Sequence, residues 1–441
     1  MAKKLFIIQP SHYRTRSNPV IHKSRKRYLV PLTLPYLAAL ASPDWDVKLI
    51  DEQLSDIDFQ ASVDLVAITV WTINSFRAYE IADRFRERGI PVIMGGPHTY
   101  FYYEEAAEHC DAVGIGEGES IWPAMLADAV NGHLKRAYRT DTLPALQGLP
   151  FPRYDLLDLR KYSYFKSFSV QSSRGCPFQC EFCSERFYLG ENYRYRPVPE
   201  VIEEIKTSKA RNLLFADSNF AGKVDHTMEL MEALVPLKVR WSSLWPAYIC
   251  TNQKFIDLAQ KSGLLHVNIG IESIDPDTLD EMNKKANKVQ QYKQILANLR
   301  KRGISYSLNF IFGWDTEKKE VFRSTLAFLQ QNRVPVAYFN ILTPHKGTRL
   351  FDRMKAENRI IDIHHIGRWP GIFCHIWPKN YFPEELEEKV KKMCLDFYSC
   401  SSMLARLPLS FTKANIASWL INWSQRKVSR VGEGMENFDN Y

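Results

Sequence analysis

Three cysteines lie close together in the middle of the chain, at Cys176, Cys180 and Cys183. They form a C-x-x-x-C-x-x-C run, and the neighbouring Gly175 and Pro177 predict that this run is a loop. A [4Fe–4S] cluster usually takes four thiolate ligands. Three thiolates on one loop would leave the fourth iron open to an external molecule. The spacing therefore predicts an iron–sulfur cluster with one iron that can bind a small ligand.

Zinc is the competing interpretation of the same cysteines, because closely spaced cysteine pairs often bind it. A structural zinc site would need a fourth Cys or His at short spacing, usually in a second pair. The next cysteine is Cys250, and no histidine follows the run within 40 residues. The sequence favours the cluster over zinc, and over a chance grouping of cysteines in a core.

Length and composition limit the remaining possibilities. The chain has 441 residues, is 45% hydrophobic and carries a formal net charge of +8. This predicts two or three domains. The densest basic cluster, residues 23–27, is expected to be a solvated loop and gives no argument for nucleic acid. The N-terminus predicts a first strand rather than a signal peptide, and no stretch approaches the roughly 18–20 apolar residues that cross a bilayer. We expect a reducing cytoplasm.

The first 132 residues alternate short apolar runs with helical patterns. The runs are 5–10, 47–51, 65–70, 92–96 and 112–116, and the helical patterns are 32–41, 75–88, 104–109 and 120–130. Continuous β-branched runs are typical of buried parallel strands, and connections of this length are helices. We predict a five-stranded, doubly wound α/β domain over residues 1–135, with its ligand at the carboxyl ends of the strands.

A proline-interrupted linker, residues 136–165, precedes a second alternation. Its apolar runs are 168–171, 213–216, 239–242, 267–271, 306–312 and 337–342. Six such units predict a partial (β/α)6 barrel over residues 166–345. The cysteine run follows the first strand and so lies at the carboxyl ends, where barrels carry their reactive residues. Residues 346–441 predict a mostly helical C-terminal extension, with helices near 384–399 and 414–430.

A cysteine run of this spacing, placed after the first strand of a six-unit barrel, resembles the radical S-adenosylmethionine (SAM) superfamily. The resemblance covers about residues 166–345. It implies that the open iron binds SAM and that one electron cleaves the sulfonium bond to give a 5′-deoxyadenosyl radical. A flavodoxin or ferredoxin is the implied electron donor. The aromatic residue before the third cysteine, here Phe182, is expected to pack on the adenine.

Three further strand ends resemble segments that bind SAM in this family. Asp217 and Asn219 match a run that meets the SAM amino group, and both supply the acceptors that an ammonium requires. Glu272 is expected at the ribose or the amino-acid end of SAM. Gly313 is expected where the backbone approaches the adenine. Each alone would be an ordinary polar or small residue at a strand end, and their order behind the cysteine run favours the site.

An α/β domain before such a barrel resembles the cobalamin-binding subclass. The residues that carry this resemblance are Thr69, Trp71, Gly95, Gly96, Gly116 and Glu117. They imply a cobalamin site, with the glycine pair near the nucleotide tail. Many cobalamin domains carry D-x-H-x-x-G, whose His is the lower cobalt ligand, but Gln53 stands at that position here. Cobalt would then be five-coordinate or take another weak ligand. A degenerate domain that only supports the barrel is the alternative.

Several other groups of residues leave two interpretations open. The aromatic residues 100–103 either wall a cavity or form a loop that packs on the barrel. The residues that either line a substrate cavity or merely pack are His364, His365, Cys374 and His375. We expect Cys110, Cys394 and Cys400 to be packing residues on helix faces.

The C-terminal part resembles the lipid- and pigment-modifying branch of this subclass, through residues 341–351 and the stretch 377–386. This implies a hydrophobic substrate, such as a polycyclic lipid or a tetrapyrrole. The residues predicted to share one face of the last helix are Ile416, Trp419, Leu420 and Trp423, with Arg426, Lys427 and Arg430 behind them. Such a helix fits a membrane surface, although docking on the barrel is the alternative.

The leading hypothesis is a cobalamin-dependent radical SAM C-methyltransferase. One SAM would give its methyl group to cobalamin, and a second would be cleaved to the radical that abstracts hydrogen from an unactivated carbon. A cyclase or oxidase with the same cofactors is the first alternative. A non-catalytic SAM-binding or electron-transfer module is the second. No catalytic residue beyond the cofactor ligands is predicted.

Overall fold

The computed structural model describes residues 2–13, 20–140, 142–363, 371–409 and 412–431. The chain forms two compact units. The first is built from Met1–Ser169 with the short segment Glu203–Lys209, and the second mainly from Val170–Ile202 and the chain that follows Lys209.

Unit 1 alternates strands and helices. Its strands are β1 Lys3–Gln9, β2 Arg27–Val30, β3 Trp45–Asp51, β4 Leu65–Thr69, β5 Val92–Gly95, β6 Ala112–Ile115, β7 Ala137–Arg139 and β8 Tyr162–Val170, whose last residue belongs to unit 2. Its helices are α1 Thr33–Ala39, α2 Ser75–Arg86, α3 Pro97–Phe101, α4 Tyr103–Glu108 and α5 Gly118–Val130. Short 3-10 turns occur at Thr72–Asn74, Tyr154–Leu156 and Leu159–Lys161.

The main sheet of unit 1 has the order β3-β1-β4-β5-β6-β7, and all its neighbours are parallel. Every residue of β4 is buried, because hydrophobic clusters cover both faces of the sheet. The predicted doubly wound domain is confirmed. The sheet has six strands rather than five, because β7 lies in the stretch predicted as a linker. With three residues, of which only Tyr138 is buried, β7 is too short to show a strand period.

Two further expectations for unit 1 need correction. Residues 100–103 are not a loop that packs on the barrel, because they span the end of α3, Tyr102 and the start of α4, and Tyr100 and Tyr103 pack against the core of unit 1. Their role as a cavity wall stays a prediction. The basic cluster 23–27 is not fully solvated, since Arg27 is buried in β2 and its Nη1 lies 2.6 Å from Oδ2 of Asp51. A buried guanidinium requires such a partner, which lies 24 residues away in sequence.

Unit 2 contains the barrel and the extension. Its remaining strands are β9 Ser173–Arg174, β10 Arg194–Tyr195, β11 Asn212–Phe215, β12 Arg240–Pro246, β13 Leu264–Glu272, β14 Ser305–Phe312 and β15 Val336–Ile341. Its helices are α6 Glu185–Leu189, α7 Val198–Ser208, α8 Val224–Leu234, α9 Gln253–Lys261, α10 Pro276–Glu281, α11 Tyr292–Lys301, α12 Val321–Gln331, α13 Arg349–Ala356, α14 Pro383–Phe397, α15 Cys400–Arg406 and α16 Lys413–Val431. The part of α7 from Glu203 onward belongs to unit 1. Short 3-10 turns occur at Val235–Leu237, Ala247–Thr251 and Val289–Gln291.

The strands β11 to β15 are parallel neighbours in chain order. The backbone N of Ala216 donates to O of Val170 at 2.8 Å, so the end of β8 continues this order beside β11. Large buried aromatic side chains, among them Trp241, Trp245 and Phe310, fill the unit. The predicted partial barrel and the helical extension are confirmed. None of the described helices is both long and apolar enough to cross a membrane.

Candidate active site

The cysteine loop begins at a fixed point of the backbone. The antiparallel pair β9 and β10 places Arg174 opposite Arg194, and Gly175 follows with φ +89°. A Cβ at position 175 would lie 2.2 Å from O of Asn192, so only glycine fits there. The N of Cys176 then donates to O of Gly190 at 3.1 Å. The first thiol is therefore held against the turn that leads into β10.

The rest of the loop is held by backbone bonds to two other segments. Glu181 donates its N to O of Met282 at 3.0 Å and accepts from N of Leu350 at 3.1 Å. Between the second and third cysteines, N of Cys183 donates to O of Cys180 at 3.3 Å. The loop is thus tied to the ends of α10 and α13, which fixes its path.

The three loop thiols are partly buried. Burial raises the pKa of all three, that of Cys183 to about 12, and the neighbouring thiol of Cys176 further raises the pKa of Cys180 and of Cys183. Within the described residues, no three His, Cys, Asp or Glu side chains are already gathered as a metal site. The donor set nevertheless fits a [4Fe–4S] cluster with one open iron. Iron binding would displace the thiol protons and draw the sulfurs together.

Asp217 follows β11, and both of its carboxylate oxygens accept hydrogen bonds from the residues at the start of the cysteine loop. Its Oδ1 accepts from N of Ser172 at 2.7 Å and from N of Ser173 at 3.2 Å, and its Oδ2 accepts from both serine hydroxyls. Burial raises the pKa of this carboxyl, while the four donors favour its charged form. The structure therefore shows Asp217 holding β9 in place. The predicted role at the SAM amino group stays a prediction.

Asn219 connects the same strand end to the first cysteine. Its Nδ2 donates to the hydroxyl of Tyr193 at 2.6 Å, and its Oδ1 accepts from N of Ala221 at 3.1 Å. The hydroxyl of Tyr193 in turn is hydrogen-bonded to Cys176. Tyr248 is a further hydrogen-bond partner of Asn219. Asn219 was predicted from the sequence and Tyr193 was not, since nothing in the sequence relates position 193 to the cysteines.

Glu272 ends β13 with φ +67°, a backbone conformation that non-glycine residues rarely adopt. Its carboxylate forms an ion pair with Lys284, and both side chains are largely buried. A Cβ at Gly270 would lie 2.6 Å from Oε1 of Glu272 and 2.8 Å from Nζ of Lys284, so this glycine makes room for the pair. Backbone strain of this kind is found mainly at functional sites. Sequence analysis missed Lys284.

Phe182 lies between this ion pair and Trp314. Nζ of Lys284 is 5.6 Å from the centroid of its ring, and the indole of Trp314 packs edge-on at 6.1 Å. Gly313, with φ +110°, precedes that tryptophan and donates its N to Oε2 of Glu317 at 2.8 Å. Burial raises the pKa of Glu317 to about 8. The predicted residues Phe182, Glu272 and Gly313 therefore lie within one continuous set of contacts.

In unit 1 the glycine pair follows β5. Gly96, with φ +113°, lies against the neighbouring strand end, and a Cβ there would be 2.7 Å from O of Val70 and 3.4 Å from Oγ1 of Thr69. A Cβ at Gly95 would meet no atom of the described residues within 4 Å. Gly96 is thus required by the fold, whereas Gly95 leaves open space at the carboxyl end of its strand.

The other predicted cobalamin residues of unit 1 also lie at strand ends. Trp71 follows β4 and is exposed, although its size would normally favour burial. Gly116, with φ +117°, follows β6 and leads to the buried Glu117 at the start of α5. Gln53 is buried after β3, and among the described residues its Oε1 has no hydrogen-bond partner.

Residues predicted to line a cavity or to pack have mixed outcomes. Cys374 is buried, and its N donates to Oε1 of Glu387 at 2.8 Å. His375 is buried beside it, while His364 and His365 lie outside the described residues. Cys110 is buried and Cys394 half-buried. Cys400 is exposed at the start of α15, so the expectation that it packs is wrong.

Two family models match the chain, the Radical SAM superfamily over residues 170–329 and the B12 binding domain over residues 19–126. Bacteriochlorophyllide d C-12(1)-methyltransferase of Chlorobaculum tepidum is 31% identical over 97% of this chain and 94% of its own length. The chain belongs to the radical SAM superfamily. The prediction of a radical SAM enzyme with a cobalamin-binding domain, and with a [4Fe–4S] cluster, SAM and cobalamin as cofactors, is confirmed at the level of the family.

This radical SAM chain is also similar to a lipid methylase and to two solved structures. Hopanoid C-2 methylase of Rhodopseudomonas palustris is 25% identical over 76% of the chain and 66% of its own length. The cobalamin-dependent radical enzyme OxsB, with aqua-cobalamin bound, superposes with a TM-score of 0.69 at 15% identity, covering 98% of this chain and 72% of OxsB. The methyltransferase TsrM from Kitasatospora setae gives 0.65 at 18% identity, covering 81% and 76%. At these identities the structures establish the fold.

Proposed function

We propose that this chain transfers a methyl group to an unactivated carbon of a tetrapyrrole substrate, as a cobalamin-dependent radical SAM C-methyltransferase. The observation that carries the proposal is the end-to-end match to a bacteriochlorophyllide methyltransferase. A second bacteriochlorophyllide methyltransferase of Chlorobaculum tepidum, acting at C-8(2), is 29% identical over 87% of the chain. The hopanoid methylases match over less of the chain, at 25% and 24% identity, so a tetrapyrrole is favoured over a polycyclic lipid.

When bound, the cluster with SAM supplies the hydrogen-abstracting radical and cobalamin supplies the methyl group. The side chains of unit 2 hold and shield this chemistry. Cys176, Cys180 and Cys183 would ligate three irons, and Asp217 keeps their loop in place through β9. The ring of Phe182 offers a face for the adenine of SAM. Its packing against Trp314 helps to keep water from the radical.

The Glu272–Lys284 pair offers both charges to the amino-acid end of SAM. A buried carboxylate can accept from the ammonium, and a buried ammonium can pair with the carboxylate of SAM. The two groups already satisfy each other in the chain. SAM binding would therefore exchange one internal ion pair for two, without leaving a charge unpaired.

Turnover with SAM labelled with deuterium in its methyl group tests the proposal. We expect one methylated product to form with one S-adenosylhomocysteine and one 5′-deoxyadenosine, and the product to gain the labelled methyl. A processed substrate with 5′-deoxyadenosine but no S-adenosylhomocysteine would overturn methyl transfer in favour of a cyclase or oxidase. Protein that takes up no corrinoid, even after refolding with it, would overturn the cobalamin part.

The electron donor belongs to the same proposal. Reduction of a [4Fe–4S] cluster takes one electron at a time from a low-potential carrier, which a flavodoxin or ferredoxin provides. We expect reduced flavodoxin to support 5′-deoxyadenosine formation in place of a chemical reductant. Turnover with the chemical reductant but none with either carrier would overturn this choice of donor.

We also propose that α16 contacts an anionic membrane surface. This helix docks on unit 2 through its small and polar face, where Oγ of Ser418 bonds Oγ of Ser305 at 2.9 Å and Nδ2 of Asn422 donates to O of Pro335 at 2.8 Å. Three of its apolar residues face outward instead, whereas Trp419, predicted for the same face, is half-buried. The exposed fractions are 45% for Ile416, 66% for Leu420 and 54% for Trp423, with the exposed Lys427 on the next turn.

An apolar stripe with an aromatic residue and a terminal lysine matches a helix that lies in a membrane interface. We expect the protein to float with vesicles that contain an anionic phospholipid, and the Leu420→Glu variant to lose this binding. Gln330→Glu, a charge change at an exposed position of α12, is the control and should float normally. Equal flotation of all three proteins, or a dimer that Leu420→Glu dissociates, would overturn the membrane proposal.

A further inference from the structure

Tyr193 is held in place from two sides within unit 2. One side of its ring lies on Gly222, where a Cβ would be 2.4 Å from Cε1 and 2.5 Å from Cζ. At its far end, the hydroxyl oxygen accepts from Nδ2 of Asn219 at 2.6 Å. The bond from N of Ala221 to Oδ1 of Asn219 fixes which way the amide is turned. Ring and hydroxyl therefore have one defined position.

This arrangement determines where the hydroxyl proton points. Since the oxygen accepts from Asn219, its own hydrogen is left to donate elsewhere. The sulfur of Cys176 is the other hydrogen-bond partner of this hydroxyl. A tyrosine phenol ordinarily titrates at a pKa of about 10, so at neutral pH it is protonated and remains a donor. Tyr193 is thus a fixed donor to one of the three cluster cysteines.

A donor to a ligating thiolate changes the redox behaviour of a cluster. Reduction adds one negative charge to the cluster, and a hydrogen bond to its sulfur ligand stabilises the more negative state. Groups that hydrogen-bond to the ligands of a metal change its reduction potential in this way. We propose that Tyr193 is a positioning residue that raises the reduction potential of the cluster through Cys176, with Asn219 and Gly222 fixing its hydroxyl. This inference rests on the proposed function only in assuming that the cysteines bind a cluster.

Two neighbouring tyrosines provide a contrast. Tyr195 lies beside Tyr193, with ring centroids 5.9 Å apart, and Tyr248 shares the amide of Asn219. Neither is a hydrogen-bond partner of Cys176 among the described contacts. The effect on the cluster is therefore assigned to one hydroxyl rather than to the aromatic surroundings.

The test is a redox titration of the reconstituted holoenzyme, followed by the electron paramagnetic resonance signal of the reduced cluster. In Tyr193→Phe we expect the iron content to stay at the wild-type level and the reduction equilibrium to become about tenfold less favourable, ~59 mV lower for one electron. Tyr195→Phe is the matched control and should titrate as the wild type does. Tyr193→Phe with an unchanged potential, or an equal shift in Tyr195→Phe, would overturn the proposal.

A second variant covers the case in which Tyr193→Phe does not hold its cluster. Gly222→Ala keeps the hydroxyl but displaces the ring, so its potential should fall in the same direction. In a variant that combines both changes, the shifts should not add, because each removes the same hydrogen bond. An unchanged potential in Gly222→Ala, or additive shifts, would contradict the assignment. The titration needs neither substrate nor cobalamin, so a failure of the methylation assay leaves this result independent.

Discussion

The carboxyl ends of the two parallel sheets in this chain are built differently. In unit 2, the polar side chains at the strand ends bond to the cysteine loop or to one another, as Asp217 does with the serines of β9 and Asn219 with Tyr193. In unit 1, the ends of β4 and β5 present glycine backbone, open space over Gly95 and an exposed Trp71, although the end of β3 carries the Arg27–Asp51 ion pair. A radical site needs ligands at fixed positions, whereas a large flat cofactor needs an unobstructed surface.

This difference predicts that the two regions respond differently to substitution. Changes at the edge of unit 2 should remove an interaction of one named side chain and thereby disturb the cluster loop. At the edge of unit 1, substitutions should act because a larger side chain takes up space that the backbone or the cofactor needs. Variants at Cys180, at Asp217, at the glycine pair and at Gln53 test this contrast.

Cys180→Ala should have the largest effect, because it removes one of the three thiols that we propose as cluster ligands. We expect loss of the cluster's visible absorption and of bound iron, and no reductive cleavage of SAM. Cys400→Ala, at the exposed cysteine, is the control and should keep the wild-type iron content. If Cys180→Ala still formed 5′-deoxyadenosine, the cluster assignment would be wrong.

Asp217→Ala should destabilise the protein by about 3 kcal/mol, because two buried backbone N–H groups and two hydroxyls lose their acceptor. Asp217→Asn should cost less than about 1 kcal/mol, since its Oδ1 can accept from the N–H groups and its Nδ2 can donate to the hydroxyls. Chemical denaturation measures both.

The same two variants separate the predicted roles of Asp217. If it only positions β9, Asp217→Asn should bind SAM with nearly wild-type affinity, as measured by titration of the reconstituted protein. A stable Asp217→Asn variant whose affinity for SAM falls tenfold or more would support the predicted contact with the SAM amino group instead.

The glycine pair of unit 1 provides the next test. Gly96→Ala should cost about 2 kcal/mol of stability, because the added Cβ meets the backbone of Val70 and φ is +113°. Gly95→Val should leave the unfolding free energy within about 1 kcal/mol, since the site is open, yet reduce cobalamin uptake. Absorption of the bound corrinoid measures uptake. Normal uptake by Gly95→Val would place the cofactor elsewhere.

Gln53→Leu should have the smallest effect on stability. Its buried Oε1 has no partner among the described residues, so an apolar side chain of similar volume removes an unsatisfied group. We expect a change of less than about 1 kcal/mol, in either direction, by thermal or chemical denaturation. A loss well above this, in protein freed of corrinoid, would show that the amide has a partner within the chain.

The sequence was sufficient for the parts of the fold that repeat and for the cysteine run. The alternation of buried runs and helical patterns predicted both parallel sheets, and cysteine spacing predicted the cluster loop. Strand β7 was not predicted, because three residues are too few to show the alternation of buried and exposed positions that identifies a strand. The serine partners of Asp217, 44 and 45 residues earlier, could not be predicted, since a motif does not show which groups already satisfy its side chains.

Lys284 and Tyr193 were missed for a related reason. Each reaches the site through tertiary contacts, with Glu272 12 residues earlier and with Asn219 26 residues later. These contacts matter because the side chains that make them are buried. Burial of a lysine or a tyrosine cannot be predicted from the hydrophobic period of a sequence, because only apolar residues define that period. The sequence left the orientation of α16 open, because an apolar stripe fits both a side that packs and a side that meets a membrane surface.

Gly270 limits how the sequence of this enzyme can change in evolution. Any side chain there would collide with the carboxylate of Glu272 and the ammonium of Lys284 at once. Losing either charged partner alone would leave the other buried and uncompensated. Single mutations at these three positions are therefore each harmful, and only a coordinated replacement avoids the penalty. We expect the three residues to be inherited together across related enzymes, or to be absent together.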